Sequence, residues 1–167
     1  LESMAVTGPD GKPVEIKNGK EGEIRTTFDI ELTKPGTYKV ASVRSMLSAQ
    51  WKEGEEVQRW RGSAADFAKQ NLKGKPELKL FENASRVETV VTSGEPSKEV
   101  LKPTGKGLEL VFDKNHPNDL FAGEKAAFAF VVNGKPAAKL KVTVVKGDDR
   151  YRNDPGETEV TTDDKGA

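Results

Sequence analysis

Five residues clustered between positions 38 and 61 carry the most suggestive chemistry in this sequence. Tyr38, Trp51 and Trp60 supply aromatic faces, and Arg59 and Arg61 flank the second tryptophan in the run R-W-R. Aromatic rings beside guanidinium groups stack on sugars or flat ligands, and a cation held over such a ring contributes about 0.5 to 2 kcal/mol. Trp51, Trp60, Arg59 and Arg61 are therefore the candidate ligand-binding set. The same residues also fit a plainer role, in which the tryptophans cover the open edge of a thin core and the arginines lie over them.

Other constellations are weaker. His116, the one histidine in the chain, sits in N-H-P-N-D beside Asp113 and Asp119 and is the candidate metal ligand. A single imidazole makes a poor site, because structural zinc sites use four protein ligands and catalytic ones about three. Packing within its loop is the competing reading. Asp148, Asp149, Asp154, Glu157, Asp163 and Asp164 offer oxygen ligands, but their spacing lacks the alternating ladder of a calcium loop. D-P-G and D-D-K-G read instead as turns. Ser63 and Ser85 have no neighbouring histidine to act as base, so a Ser-His-Asp triad would need His116 to reach in from far along the chain. Gly105 and Gly107 form G-x-G without the third glycine or the following helix of a phosphate-binding loop. No catalytic residue and no cofactor is assigned.

These residues must be positioned by strands. Leu108, Leu110 and Phe112 alternate onto one face, as do Phe128, Phe130 and Val132, and then Leu140, Val142 and Val144. Ile24, Thr26, Phe28, Ile30 and Leu32 do the same within 23–32. A short strand is expected over Val14–Ile16. Pro35-Gly36 turns the chain into a strand begun by Tyr38, Val40 and Ser42, a turn and strand resembling those that finish a sheet in immunoglobulin-like sandwiches. Two strand-like pieces joined at Glu53-Gly54-Glu55 form a hairpin that brings Trp51 and Trp60 onto neighbouring strands. Ser63 caps one helix, Ala64 to about Gln70, with Asp66 at the capping-box position. Leu78 and Leu80 mark another strand, and Val87, Thr89 and Val91 one more.

Composition sets the limits. Of 167 residues, 34% are hydrophobic and 32% charged, a thin apolar supply that suits strands with one buried face. The 27 basic and 27 acidic residues balance, so no net field recruits nucleic acid or an anionic membrane. The absence of cysteine excludes disulfides and thiolate chemistry and leaves the compartment open. No apolar run approaches the roughly 20 residues of a membrane-spanning helix. The chain opens on Leu1 without a signal-peptide pattern, and we expect a mature or trimmed piece. The Pro- and Gly-rich stretch from Ser93 to Gly107 is the expected linker. It divides the chain into an N-terminal β-sandwich over 1–102, carrying the short helix, and a second β-sandwich over 103–167.

G-K-G-L-E-L-V, H-P-N-D-L-F-A-G-E, N-G-K-P-A-A-K-L-K-V-T-V and T-T-D-D-K-G together resemble a bacterial periplasmic family of unknown function. That family was once described as a nickel-uptake (NikM-like) component, and its C-terminal part is a transthyretin-like (prealbumin-like) β-sandwich. F-D-I-E-L-T-K-P-G-T-Y-K-V, R-W-R-G-S-A-A-D-F-A and S-R-V-E-T-V-V-T-S-G resemble its N-terminal half. Its members commonly begin with a histidine-containing segment and run on past T-D-x-x-G for one or two strands. Neither stretch lies within these residues, so the expected second domain is truncated and the histidines' role is not carried over. The resemblance implies a mainly β fold of two antiparallel sandwich modules, immunoglobulin-like and transthyretin-like, and a periplasmic location with the signal peptide removed. It implies a non-enzymatic binding protein linked to nickel or cobalt uptake, whose partner is a small ligand or another envelope protein. A carbohydrate-binding module using Trp51 and Trp60 is the alternative, and a hydrolase comes third.

Overall fold

The computed structural model describes residues 3–112, 114–147, 154 and 156–167. The fold is mainly β, built from antiparallel sheets with one short α-helix.

Its spine is β5, Gly36–Glu53, an 18-residue strand. β7, Lys79–Ser93, pairs with β5 in unbroken register from Gly36↔Ser93 to Gln50↔Lys79. On the other side, β5 first pairs with β1, Met4–Thr7, itself paired with β2, Pro13–Val14. Further along it pairs with β6, Glu56–Gly62. The sheet therefore has a root, where Val6, Tyr38 and Val40 are buried, and a long three-stranded arm of β6, β5 and β7. β3, Ile16–Glu21, and β4, Thr26–Ile30, form a separate hairpin.

Gly36 is where the chain enters β5. Its φ is +127°, and a Cβ there would collide with Pro9 and crowd Ser97 Oγ. Only glycine both adopts that backbone and fits that space.

The expected helix forms as α1, Ala64–Lys69. Ser63 Oγ accepts from the Asp66 N–H at 3.0 Å and donates to the Asp66 carboxylate at 2.7 Å, satisfying one of the helix's free amides. A helix this short cannot hold itself, and it lies against β5. Phe67 reaches Trp60 with ring centroids 5.4 Å apart.

After β7 the chain makes a 3-10 turn, Glu99–Leu101, which packs on β5 with Val100 and Leu101 buried, so the expected linker is partly built into the fold. β8, Leu108–Val111, β9, Ala129–Val132, and β10, Lys135–Pro136, form a three-stranded sheet. Asn133-Gly134 closes the β9–β10 hairpin with φ of +51° and +75°, the pattern of a type I′ turn. β11, Lys141–Val144, pairs with β12, Thr158–Thr161.

Several expected boundaries are corrected. Ile24 is 96% exposed in the β3–β4 connection rather than on a strand face. The strand expected over Val14–Ile16 is split, with Val14 ending β2 and Ile16 opening β3. The two strands expected around Leu78–Leu80 and Val87–Val91 are one strand of 15 residues. In β8 Leu108 is 44% exposed while Glu109 is 4% exposed, so simple alternation misjudges which side chain is buried.

Candidate functional site

The aromatic and basic candidates are brought together on one hairpin and then divided by it. β5 and β6 pair Trp51 with Gln58 and Ala49 with Trp60, so the two tryptophans share a face as diagonal neighbours. Arg59 opposes Gln50 and Arg61 opposes Ser48, which puts both guanidinium groups on the other face. Arg61 Nε instead meets Met46 Sδ at 2.6 Å. Both tryptophans are half-buried, and the Trp51 indole N–H points at Glu53 Oε1, 3.4 Å away. Tyr38 is far from this group at the sheet root, 1% exposed, exchanging 2.9 Å hydrogen bonds with the backbone of Lys34. The arginines therefore do not lie over the tryptophans.

His116 is 5% exposed and both ring nitrogens are engaged. Nδ1 accepts from the Asn118 N–H at 3.1 Å, capping the 3-10 turn Pro117–Asp119. The remaining proton is therefore on Nε2, which lies 3.1 Å from Thr37 Oγ1 and 3.2 Å from the Ser97 carbonyl. Thr37 Oγ1 also accepts from the Ser97 N–H at 3.0 Å and meets Thr92 Oγ1 at 3.1 Å. Thr92 Oγ1 donates in turn to Asn118 Oδ1 at 3.3 Å, which closes the network. This is loop packing of the kind weighed against metal binding. Asp113, Asp148 and Asp149 lie outside the described residues. Among the described residues, no three His, Asp or Glu side chains are grouped to hold a metal. Asp163 accepts from the backbone N–H of Lys165 and Ala167, and those two bonds hold its carboxyl below the ordinary value. Asp154 accepts from the Gly156 N–H at 2.9 Å. Both acids act as turn formers.

A site that the sequence did not announce lies where the arm meets the β8–β9–β10 sheet. Val43 and Ala84 from the arm face Leu108, Leu110 and Phe130 across a cleft of about 400 Å³. Its polar margin is Ser45, Glu82, Ser85, Arg86, Glu88 and Lys106, with Ser45 donating to Glu82 at 2.7 Å. Arg86 bonds Glu88 at 2.8 Å and donates to the Lys106 carbonyl at 2.9 Å, tying β7 to the loop before β8. Behind it, Glu109 accepts from the Thr104 N–H and hydroxyl, both at 2.8 Å, and from the Gly105 N–H at 2.7 Å. Burial pushes the Glu109 carboxyl up, but those three donors and Arg86 together outweigh it, and the group is held below its ordinary value. The cleft thus has apolar walls and a polar margin whose Arg86 and Glu88 are already partnered. Nothing in the period-two pattern of L-E-L separates Glu109 from an ordinary solvent-facing acid.

A family described as a domain of unknown function, DUF4198, matches residues 1–167, the whole chain. The chain belongs to that family. No curated protein and no solved structure matches it.

Proposed function

We propose that this DUF4198 chain is a non-enzymatic binding module of the bacterial envelope, and that it takes a small, largely apolar ligand in the cleft between the arm and the β8–β9–β10 sheet. The observation that carries this reading is the cleft itself, where Val43, Leu108, Leu110 and Phe130 converge from separate sheets around a space of ligand size. Lys106 stands at its margin with no ion pair among the described residues, beside Glu82 and the Arg86–Glu88 pair, and it is the group that would meet an anionic end of the ligand. The non-enzymatic part rests on how the titratable groups are used. His116 is committed to the buried network. Asp10, Glu21, Glu53, Asp66, Glu109 and Asp163 are all held below their ordinary values, as anions rather than as acids poised near neutrality. The periplasmic setting and the association with nickel or cobalt uptake rest on the family resemblance, and in this reading the module serves such a system without a transition-metal site built on His116.

The test is titration with 8-anilinonaphthalene-1-sulfonate, an apolar dye with one anionic group. One saturable site is expected, displaced by medium-chain fatty acids and lost in Val43→Arg, whose side chain would fill the cleft. Dye binding that survives Val43→Arg would place the ligand elsewhere.

A second reading, carbohydrate binding, is favoured by the shared face of Trp51 and Trp60. It lacks the flanking arginines, which face the other way.

A further inference from the structure

We infer that the outer edge of β7 is a dimerisation edge, at which a second copy of this chain pairs β7 to β7, antiparallel, about a two-fold axis at Ala84. Along its 15 residues β7 pairs with β5 alone, and among the described residues no other backbone–backbone hydrogen bond reaches it; its side-chain bonds beyond β5, from Arg86 to the Lys106 carbonyl and from Thr92 to Asn118, lie outside the stretch 79–85. Residues 79–85 are all exposed.

Edge strands of soluble proteins usually carry a device against further pairing, such as a proline, a bulge or an inward-pointing charge. β7 holds no proline, and its register with β5 runs without a bulge from Ser93 to Lys79; its inward-pointing charges, Arg86 and Glu88, are paired with each other at 2.8 Å and lie beyond the exposed stretch 79–85. It also exposes four large apolar side chains, Leu80 at 49%, Phe81 at 55%, Val87 at 72% and Val91 at 38%, of which Phe81 and Val87 stand on one face at either side of Ala84.

The occupant is identified by self-complementarity. Antiparallel pairing about Ala84 sets Phe81 opposite the Val87 of the second copy, and Val87 opposite its Phe81. Such aromatic against β-branched pairs are favourable cross-strand neighbours. The same register sets Asn83 opposite Ser85 twice and Glu82 opposite Arg86 twice, where Glu82 joins the existing Arg86–Glu88 pair, and it sets Leu80 opposite Glu88. Moving the axis to Ser85 would instead set Glu82 against Glu88. Moving it to Asn83 would set Phe81 against Ser85 and Val87 against Lys79. The overlap from Lys79 to Thr89 runs for about 35 Å at an extended strand's rise. It joins two three-stranded arms into one continuous sheet, an isologous contact that closes on itself.

Sedimentation velocity over a concentration series tests this. The wild-type chain is expected at twice its 18.2 kDa mass. Phe81→Glu alone and Val87→Lys alone should each be monomeric with unchanged circular dichroism, because both side chains are exposed. The double variant places Glu opposite Lys twice across the axis and should dimerise again. A second measurement does not depend on those variants. The chain has no cysteine, so Ala84→Cys introduces a single thiol that faces its own copy within disulfide range. Mild oxidation should crosslink it nearly completely, whereas Thr89→Cys, about 34 Å from its counterpart in this register, should stay uncrosslinked. A wild-type chain that remains monomeric at several hundred micromolar overturns the proposal. So does a dimer indifferent to both single charges, or equal crosslinking at positions 84 and 89.

Discussion

Thr37 and His116, 79 residues apart in the chain, meet at 3.1 Å in the buried interior. Thr37 is fully buried at the start of β5, and His116 belongs to the loop after β8. Their contact, shared with Ser97, Thr92 and Asn118, ties the sheet root to the second half of the chain through polar rather than apolar groups. In a chain with so few buried large side chains, such a network takes over part of the positioning that a larger core would perform.

Removing the imidazole should therefore be costly. His116→Ala leaves Thr37 Oγ1, the Ser97 carbonyl and the Asn118 N–H short of a partner, and about 2 to 4 kcal/mol of stability should be lost in urea unfolding. A loss under about 0.5 kcal/mol would show the network to be incidental. The same geometry bears on nickel. Transition metals favour imidazole nitrogen at neutral pH, and neither nitrogen of His116 is free without breaking the network. Calorimetric titration of this chain with nickel should show no site tighter than micromolar. A tight 1:1 site abolished by His116→Ala would move this residue from structure to ligation.

Gly36→Ala should be among the most damaging single-methyl additions in the chain. The new Cβ would overlap Pro9 at a backbone φ of +127°, and strain and overlap together should cost about 2 to 4 kcal/mol. Gly54→Ala, in the open turn of the β5–β6 hairpin, meets nothing within 4 Å and provides the control. Its own positive φ of +64° should cost only about 1 kcal/mol. Similar unfolding midpoints for the two variants would refute the packing argument.

Glu109 should give the chain an acid-sensitive element. Its carboxyl sits below the ordinary 4.5 because, despite burial, the anion is the form its donors hold. A lowered folded value means that its stabilisation is fully present above about pH 4.5 and is lost as pH falls through the folded value. Glu109→Gln should destabilise the chain at pH 7 and make the fall in stability below pH 4.5 shallower than in the wild type. Parallel acid limbs for the two proteins would show that the other lowered carboxylates carry the effect.

Much of the architecture was legible in the residues. Ser63 with Asp66 announced α1, and Glu53-Gly54-Glu55 announced the turn that sets Trp51 and Trp60 on adjacent strands. The failures have physical causes. Asn83, Ala84 and Ser85 interrupt the apolar run of β7, since the arm has little core to face there and its residues are exposed, so hydrophobic periodicity had nothing to report. Ile24 kept the right period but sits beyond the last paired residue, Thr26. The division of R-W-R was legible in principle, because consecutive strand residues point to opposite faces. The buried role of Glu109 was not, since it depends on Thr104 and Gly105 folding back onto it.

The two tryptophans separate the remaining readings, because they share a face yet sit in different surroundings. Trp60 stacks tilted against Phe67 of α1, and a Cβ at Gly62 would run into its ring, so the side chain is wedged between helix and strand. Its truncation removes contacts on both sides, and from a half-buried position Trp60→Ala should cost about 2 to 3 kcal/mol, somewhat less than a full core replacement. Trp51 lies near the hairpin turn with Glu53 as its one hydrogen-bond partner, at a long 3.4 Å. Trp51→Ala should cost under about 1 kcal/mol. If the aromatics serve the fold, neither substitution alters binding of the sulfonated dye to the cleft, whose lining includes neither tryptophan, and a glycan array shows no binding for the wild type to lose. A wild-type glycan signal that disappears in Trp51→Ala while stability is unchanged would make the aromatic face the binding site, and the cleft would then lose its claim.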